Sequence, residues 1–145
     1  MRPYLEPGFL ACLLLRAPAR READRLIRGF TPPYRLHRWH LLQIEQMLLK
    51  SERSIEEDAR EAAADGRRLW RQYWLENVFE LHEAPFENGL ALAIDLLPKA
   101  ANGTLSPMMC FHAGMARTSG ATHFLSFHPS YRVAAQLAGL PVLPA

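Results

Sequence analysis

The sequence has few cysteines, little net charge and no long apolar run, and each shortage excludes a class of protein. Its two cysteines, Cys12 and Cys110, lie in apolar stretches, so we expect reduced core residues and not a disulfide pair. The net charge of +2 is too small to indicate nucleic-acid binding by bulk electrostatics. The early apolar run at 9–15 is too short to span a bilayer. Without a recognisable signal peptide, we expect a cytoplasmic protein with no membrane contact.

Several familiar catalytic motifs are also missing. The sequence has no Gly-rich phosphate loop, no Ser-His-Asp order and no Cys-His zinc spacing. Internal repeats, low-complexity tracts and linkers are absent as well. The 145 residues are 49% hydrophobic and 22% charged, which predicts one globular domain spanning 1–145.

Short apolar segments alternate with helical patterns along the whole chain. Strands are predicted at 4–5, 34–36, 78–81, 123–127 and 140–143. Helices are predicted at 9–16, 20–28, 37–49, 86–97, 106–118 and 129–138, with the longest opening at Ser54. Strands separated by helices need crossover connections, so we expect an α/β fold. The predicted fold is a three-layer α/β/α sandwich around a central, mostly parallel sheet of four to five short strands.

Two helix starts and one loop carry specific signals. Ser54, with Glu57 three residues later, predicts a capping box. Ser106 followed by Pro107 predicts an N-cap and a proline at the first helical position. Residues 100–104 are predicted to form a loop.

Two parts of the sequence resemble a known family. Residues 120–127 read Gly-Ala-Thr-His-Phe-Leu-Ser-Phe, 128–132 read His-Pro-Ser-Tyr-Arg, and 134–140 read Ala-Ala-Gln-Leu-Ala-Gly-Leu. Near the N-terminus, Tyr-Leu-Glu at 4–6 precedes Phe-Leu-Ala at 9–11. The chain thereby resembles the bacterial PIN domain of the VapC toxin type. That resemblance implies three or four carboxylates around Mg²⁺ or Mn²⁺, ribonuclease activity, a homodimer, and an antitoxin-like protein or RNA as partner.

The acid positions that the resemblance implies are mostly replaced. Glu6 takes the first position, while the second falls on Gln43 or Glu45, which the sequence does not decide between. Met109 occupies the third position, and a thioether does not bind Mg²⁺.

Histidines occur at the remaining family positions. His112 lies three residues after Met109, as the family's histidine does, and His128 occupies the fourth acid position. Glu6 alone keeps a clear metal-binding carboxylate, so we expect a degenerate site that needs no cofactor.

Three functions remain open from the sequence. The preferred one is a catalytically impaired nuclease relative that acts by binding or pairing. The second is an active Mg²⁺- or Mn²⁺-dependent endoribonuclease with Glu6, Glu45 and His128 as ligands. The third is a single-stranded nucleic-acid-binding module that uses Arg67, Arg71 and Trp74.

The tryptophans near Arg71 and the histidine pair at 37 and 40 each have two interpretations, one functional and one structural. Trp70 or Trp74 can belong to an apolar stripe, with the neighbouring arginines forming a solvated face. If both tryptophans are buried, the nucleic-acid interpretation fails. His37 and His40, at i and i+3, form either a metal half-site or a pair of partly exposed polar residues at a helix start.

Overall fold

The computed structural model describes residues 1–100 and 103–145, which form a mixed α/β chain. The strands are β1 (Pro3–Leu5), β2 (Tyr34–Leu36), β3 (Phe79–Leu81), β4 (His123–Leu125) and β5 (Val142–Leu143). The α-helices are α1 (Pro7–Leu14), α2 (Arg20–Ile27), α3 (Arg38–Glu52), α4 (Glu57–Leu75), α5 (Phe86–Leu96), α6 (Pro107–Thr118) and α7 (Pro129–Leu137). Within the described ranges, no helix has the length and apolar character needed to cross a membrane.

The chain divides into two compact units. The first unit comprises Met1–Glu6 and Glu83–Ala145, and the second comprises Pro7–His82. The first contains a three-stranded sheet in the order β1-β4-β5, and the second pairs β2 with β3. All of these pairings are parallel, which confirms the predicted parallel character of the strands. The single central sheet of a three-layer sandwich stays a prediction.

In the first unit, β4 is the middle strand, and its Phe124 and Leu125 side chains are buried. Tyr4 pairs in register with Phe124, and Leu5 pairs with Leu125. All four of these side chains are buried, as expected where helices cover a parallel sheet. The Tyr4 ring stacks on Phe124, with the ring centroids 5.3 Å apart. This packing fixes the ends of β1 and β4 side by side.

Helices α5 and α6 of the first unit approach each other at two glycines. A Cβ atom added at Gly114 would overlap the carbonyl oxygen of Gly89, and one added at Gly89 would overlap the side chain of Met115. The two helices therefore depend on small residues at their crossing.

The start of α6 is as predicted: the Ser106 hydroxyl accepts a hydrogen bond from the backbone N–H of Met109.

In the second unit, β2 and β3 run in parallel with Tyr34 opposite Phe79. The Tyr34 hydroxyl donates to the carbonyl oxygens of Ile27 and Phe30, 2.9 and 3.1 Å away. These bonds tie the end of α2 to β2. Helices α3 and α4 pack against each other beside this strand pair.

The predicted capping box at Ser54 is wrong. The longest helix, α4, begins at Glu57, and Glu56 is its N-cap without a side-chain hydrogen bond. Ser54 instead accepts the N–H of Glu56 in a turn. Glu57 is therefore the first helical residue and cannot close a box from the third position.

Smaller differences affect other segments. β4 ends at Leu125 and not at 127, because the Ser126 hydroxyl accepts the N–H of His128 and begins a turn. Both cysteines are free thiols. The loop predicted at 100–104 includes residues 101 and 102, which lie outside the described residues.

Gly114→Ala should destabilise the protein even though alanine favours helices. The new methyl group must push α5 away from α6, at a cost of about 1–3 kcal/mol in the free energy of unfolding. Urea denaturation measures this change. The control is Ala91→Gly on the exposed face of α5, where helix propensity alone should cost about 1 kcal/mol. A rise in stability for Gly114→Ala would contradict the close approach.

Candidate functional site

The strand ends of the first unit hold a buried carboxylate. Glu6 directly follows β1 and is 4% exposed. Its backbone N–H donates to the carbonyl oxygen of Leu125 at 3.1 Å. The Ser126 hydroxyl donates to Glu6 Oε2 at 3.0 Å. Parallel pairing thus places the acid after β1 beside the hydroxyl after β4.

Ser126 joins this carboxylate to the start of α7. Its hydroxyl oxygen accepts the backbone N–H of His128 at 3.1 Å. His128 is the N-cap of α7, and its Nδ1 accepts the N–H of Ser130 at 3.2 Å. An imidazole whose Nδ1 lone pair caps a helix has one ring nitrogen committed to structure. Ser126 was not predicted as a site residue, because the sequence pattern placed it inside a strand at 123–127, whereas β4 ends at Leu125.

Two tyrosines lie near the Glu6 carboxylate, and one of them is hydrogen-bonded to a buried histidine. Tyr4 Oη is hydrogen-bonded to Nδ1 of the fully buried His112 at 2.6 Å. Burial raises the pKa of Tyr4 well above its ordinary value, and the charge of Glu6 adds to this effect. Burial and Glu6 also raise the pKa of Tyr131 to about 12. Both phenols therefore stay neutral near pH 7.

Met109, where the resemblance predicts the third acid, has a packing role. It is half-buried and lies against an apolar cluster that includes Ala93, Leu96 and Ala113. This position belongs to the core of the first unit.

The two candidates for the second acid both lie on α3 of the second unit. Glu45 is exposed and binds Arg67 through two hydrogen bonds of 3.0 and 2.8 Å. These bonds hold the pKa of the Glu45 carboxyl below its usual range. Gln43 is half-buried, and two residues along a helix differ by about 200° in direction. The Glu45 carboxylate is thus turned toward α4.

The predicted nucleic-acid-binding residues Arg67, Arg71 and Trp74 lie on α4, and only some of them are accessible to a ligand. Arg67 is also bonded to Glu52, so its guanidinium is shared between two carboxylates, whereas Arg71 is exposed. Trp70 and Trp74 are half-buried and meet edge to face at 5.6 Å. Since neither ring is fully buried, the burial test does not exclude nucleic-acid binding, which stays a prediction.

Three histidines lie at the carboxyl ends of β2 and β3 in the second unit. His37 follows β2, and His82 follows β3, with its N–H donating to the carbonyl of Leu36 at 2.7 Å. The rings of His37 and His40 lie 3.9 Å apart. His40 Nδ1 accepts the backbone N–H of His37 at 3.2 Å.

The burial of His37 and His40 contradicts one of the two predictions for this pair, that of partly exposed polar residues at a helix start. His37 is 8% exposed and His40 is 0% exposed, so the interpretation as partly exposed residues is wrong. Burial, with a smaller effect of His82, lowers the pKa of His37 to about 4. His37 is therefore neutral at pH 7.

No family model, curated protein or solved structure matches this chain.

Ser126→Ala should destabilise the first unit by leaving the buried Glu6 carboxylate without this donor. A hydrogen bond to a charged group contributes about 1.5–3 kcal/mol, and urea denaturation should show a loss of that size. The control, Ser130→Ala, removes a half-buried hydroxyl that takes no part in the Glu6–Ser126 hydrogen bond and should change stability by less than about 0.5 kcal/mol. Equal losses for the two variants would refute a special role for Ser126.

His37 should make the protein less stable in acid. Its folded pKa of about 4 lies below the ordinary 6.5, so the unfolded chain binds the proton more tightly. The contribution is fully present above pH 6.5 and is lost as pH falls towards 4, by about 3 kcal/mol at most. His37→Asn should flatten the curve of unfolding free energy against pH. Identical curves for His37→Asn and the wild type would rule this out.

Proposed function

We propose that the chain is a PIN-like domain whose metal-dependent nuclease site has degenerated, and that it acts by binding or pairing and not by cutting RNA. The fold that accompanies this proposal is one central parallel sheet within a three-layer sandwich. The main support for this proposal is that Glu6, the acid directly after β1, is buried and accepts a hydrogen bond from the Ser126 hydroxyl.

A catalytic cation requires several ligand groups close together. Among residues 1–100 and 103–145, no group of three or more His, Cys, Asp or Glu side chains with ligand atoms within 4.8 Å of one another includes Glu6. Mg²⁺ needs octahedral oxygen ligands and keeps several waters. One buried carboxylate held by a serine does not fit such an ion.

The other positions implied by the family already have structural roles. Met109 packs in an apolar cluster, and His128 caps α7. Glu45 is paired with Arg67. Rebuilding an active site from these residues would cost the ion pair and the cap. The active endoribonuclease is therefore the weaker alternative.

A comparison of metal binding and cleavage tests this proposal. We expect millimolar Mn²⁺ or Mg²⁺ to shift the thermal unfolding midpoint equally in wild type and Glu6→Gln, because the ion does not bind at Glu6. A specific ion at a hundredfold excess over its Kd would add about 2.7 kcal/mol to the folded state. Neither protein should cleave single-stranded RNA.

Glu83→Gln is the matched control, since it removes the same charge from an exposed position. It corrects for weak cation binding at the surface. A metal-induced shift that persists in Glu83→Gln but disappears in Glu6→Gln would refute the proposal. So would metal-dependent RNA cleavage that Glu6→Gln abolishes.

A further inference from the structure

Helix α3 of the second unit borders a long open surface of apolar and basic side chains. Two adjoining grooves of about 630 and 810 Å³ lie along it. The first lies between α3, α4 and the end of β3, and the second continues along α3, with Leu42 and Glu45 lining both. We call this surface the α3 groove. Its lining residues all belong to the second unit.

The apolar part of the α3 groove is accessible from solvent. Leu42 is 58% exposed and Leu81 is 43% exposed. Trp70 and Trp74 contribute half-buried rings that pack on the buried Phe79, with centroids 5.3 and 6.0 Å away. Exposed apolar surface bordered by polar groups is typical of a protein-binding site.

Basic side chains lie near both ends of α3. Arg38 begins the helix and Lys50 lies in its last turn, roughly 18 Å away at about 1.5 Å per residue. Arg53 is the C-cap at the same end as Lys50. In the part of the chain that the structure describes, these three cations form no ion pair. Since Glu45 between them is paired with Arg67, the groove has uncompensated positive charge at each end.

An amphipathic helix that carries acids matches this arrangement. Apolar side chains on one face of such a helix would cover Leu42 and Leu81. Carboxylates about twelve residues apart on it would reach Arg38 and Lys50, because both helices rise by about 1.5 Å per residue. Binding of a helix in a groove typically uses apolar anchors at this kind of helical spacing. Complementary charge sets the orientation and disfavours basic partners.

We propose that the α3 groove binds an acidic amphipathic helix of another protein. The apolar face of that helix packs on the leucines and the tryptophan rings, and its carboxylates pair with the cations at the two ends. This inference rests on the binding role proposed above and supplies a class of partner for it.

The lining favours a protein helix over single-stranded nucleic acid. Nucleic acid requires cations that follow its backbone and aromatic faces on which its bases stack. Here Leu41, Leu42 and Leu49 line the groove between the cations of α3. Both tryptophan rings already pack on Phe79.

Fluorescence titration with labelled synthetic peptides tests this proposal. The probe is a peptide of about 18 residues, long enough to span the groove as a helix, with leucines on one face and glutamates on the other. The comparison peptide has lysines in place of the glutamates. The wild type should bind the glutamate peptide at least about tenfold more tightly than the lysine peptide. Added salt should weaken this binding, because exposed charges are screened.

Substitutions at exposed positions assign the binding to the α3 groove. Leu42→Ser should raise the Kd of the glutamate peptide at least about tenfold, because one leucine is no longer buried on binding. Arg38→Glu should also weaken it. Arg38→Glu combined with Lys50→Glu should reverse the preference, so that the lysine peptide binds more tightly. Circular dichroism verifies that each variant keeps its fold.

Ile94→Ser and Arg21→Glu are the matched controls. Ile94 is 59% exposed on α5 of the first unit. Arg21 is exposed in the first turn of α2, as Arg38 is in that of α3, and does not line the groove. Neither change should alter the Kd.

Three results would overturn the proposal. The first is no binding of the glutamate peptide up to about 1 mM, or equal binding of the two peptides. The second is a loss of binding in the controls as large as in Leu42→Ser. The third is displacement of the glutamate peptide by a single-stranded uridine 12-mer or by a second copy of the chain. Each would remove the partner class alone, because the metal and cleavage assays on Glu6→Gln measure the loss of the nuclease site separately.

Discussion

The parallel ladder between β1 and β4 is the contact on which the first unit and its site depend. It pairs residues 120 positions apart in sequence, such as Tyr4 and Phe124, and so brings Glu6 beside Ser126. Because both strands are buried and apolar, their register is strongly specified. That register decides which groups meet after the strands end. Here they are one carboxylate and one hydroxyl, and the hydroxyl is also bonded to the N-terminus of α7.

This arrangement gives the buried carboxylate after β1 a structural role. A carboxylate buried at a sheet edge is costly unless hydrogen bonds compensate it. Ser126 supplies one such bond to Glu6, while Met109 adds apolar packing and His128 a helix cap. Each group thus stabilises the folded chain. The same reasoning applies in the second unit, where Arg67 uses Glu45 in an ion pair.

Local signals predicted much of the fold. The N-cap at Ser106 and the strand at 34–36 were found because short-range chemistry decides them. The capping box at Ser54 failed because a turn competed for the same hydroxyl. Glu6 was identified from its place after a strand, whereas its bond to Ser126 required the β1–β4 register. The burial of His40 was missed because burial depends on packing that no local pattern records.

The central claim is that the Glu6 carboxylate stabilises the first unit and does not bind a catalytic cation. Paramagnetic broadening of backbone amide signals by Mn²⁺, followed by NMR during a titration, tests it most directly. The account predicts that broadening begins at exposed acids such as Glu56 and Glu57, and that Glu6, Leu125 and Ser126 are not affected first. Saturable broadening centred on Glu6 at low Mn²⁺ concentrations would contradict it and would establish a surviving metal site.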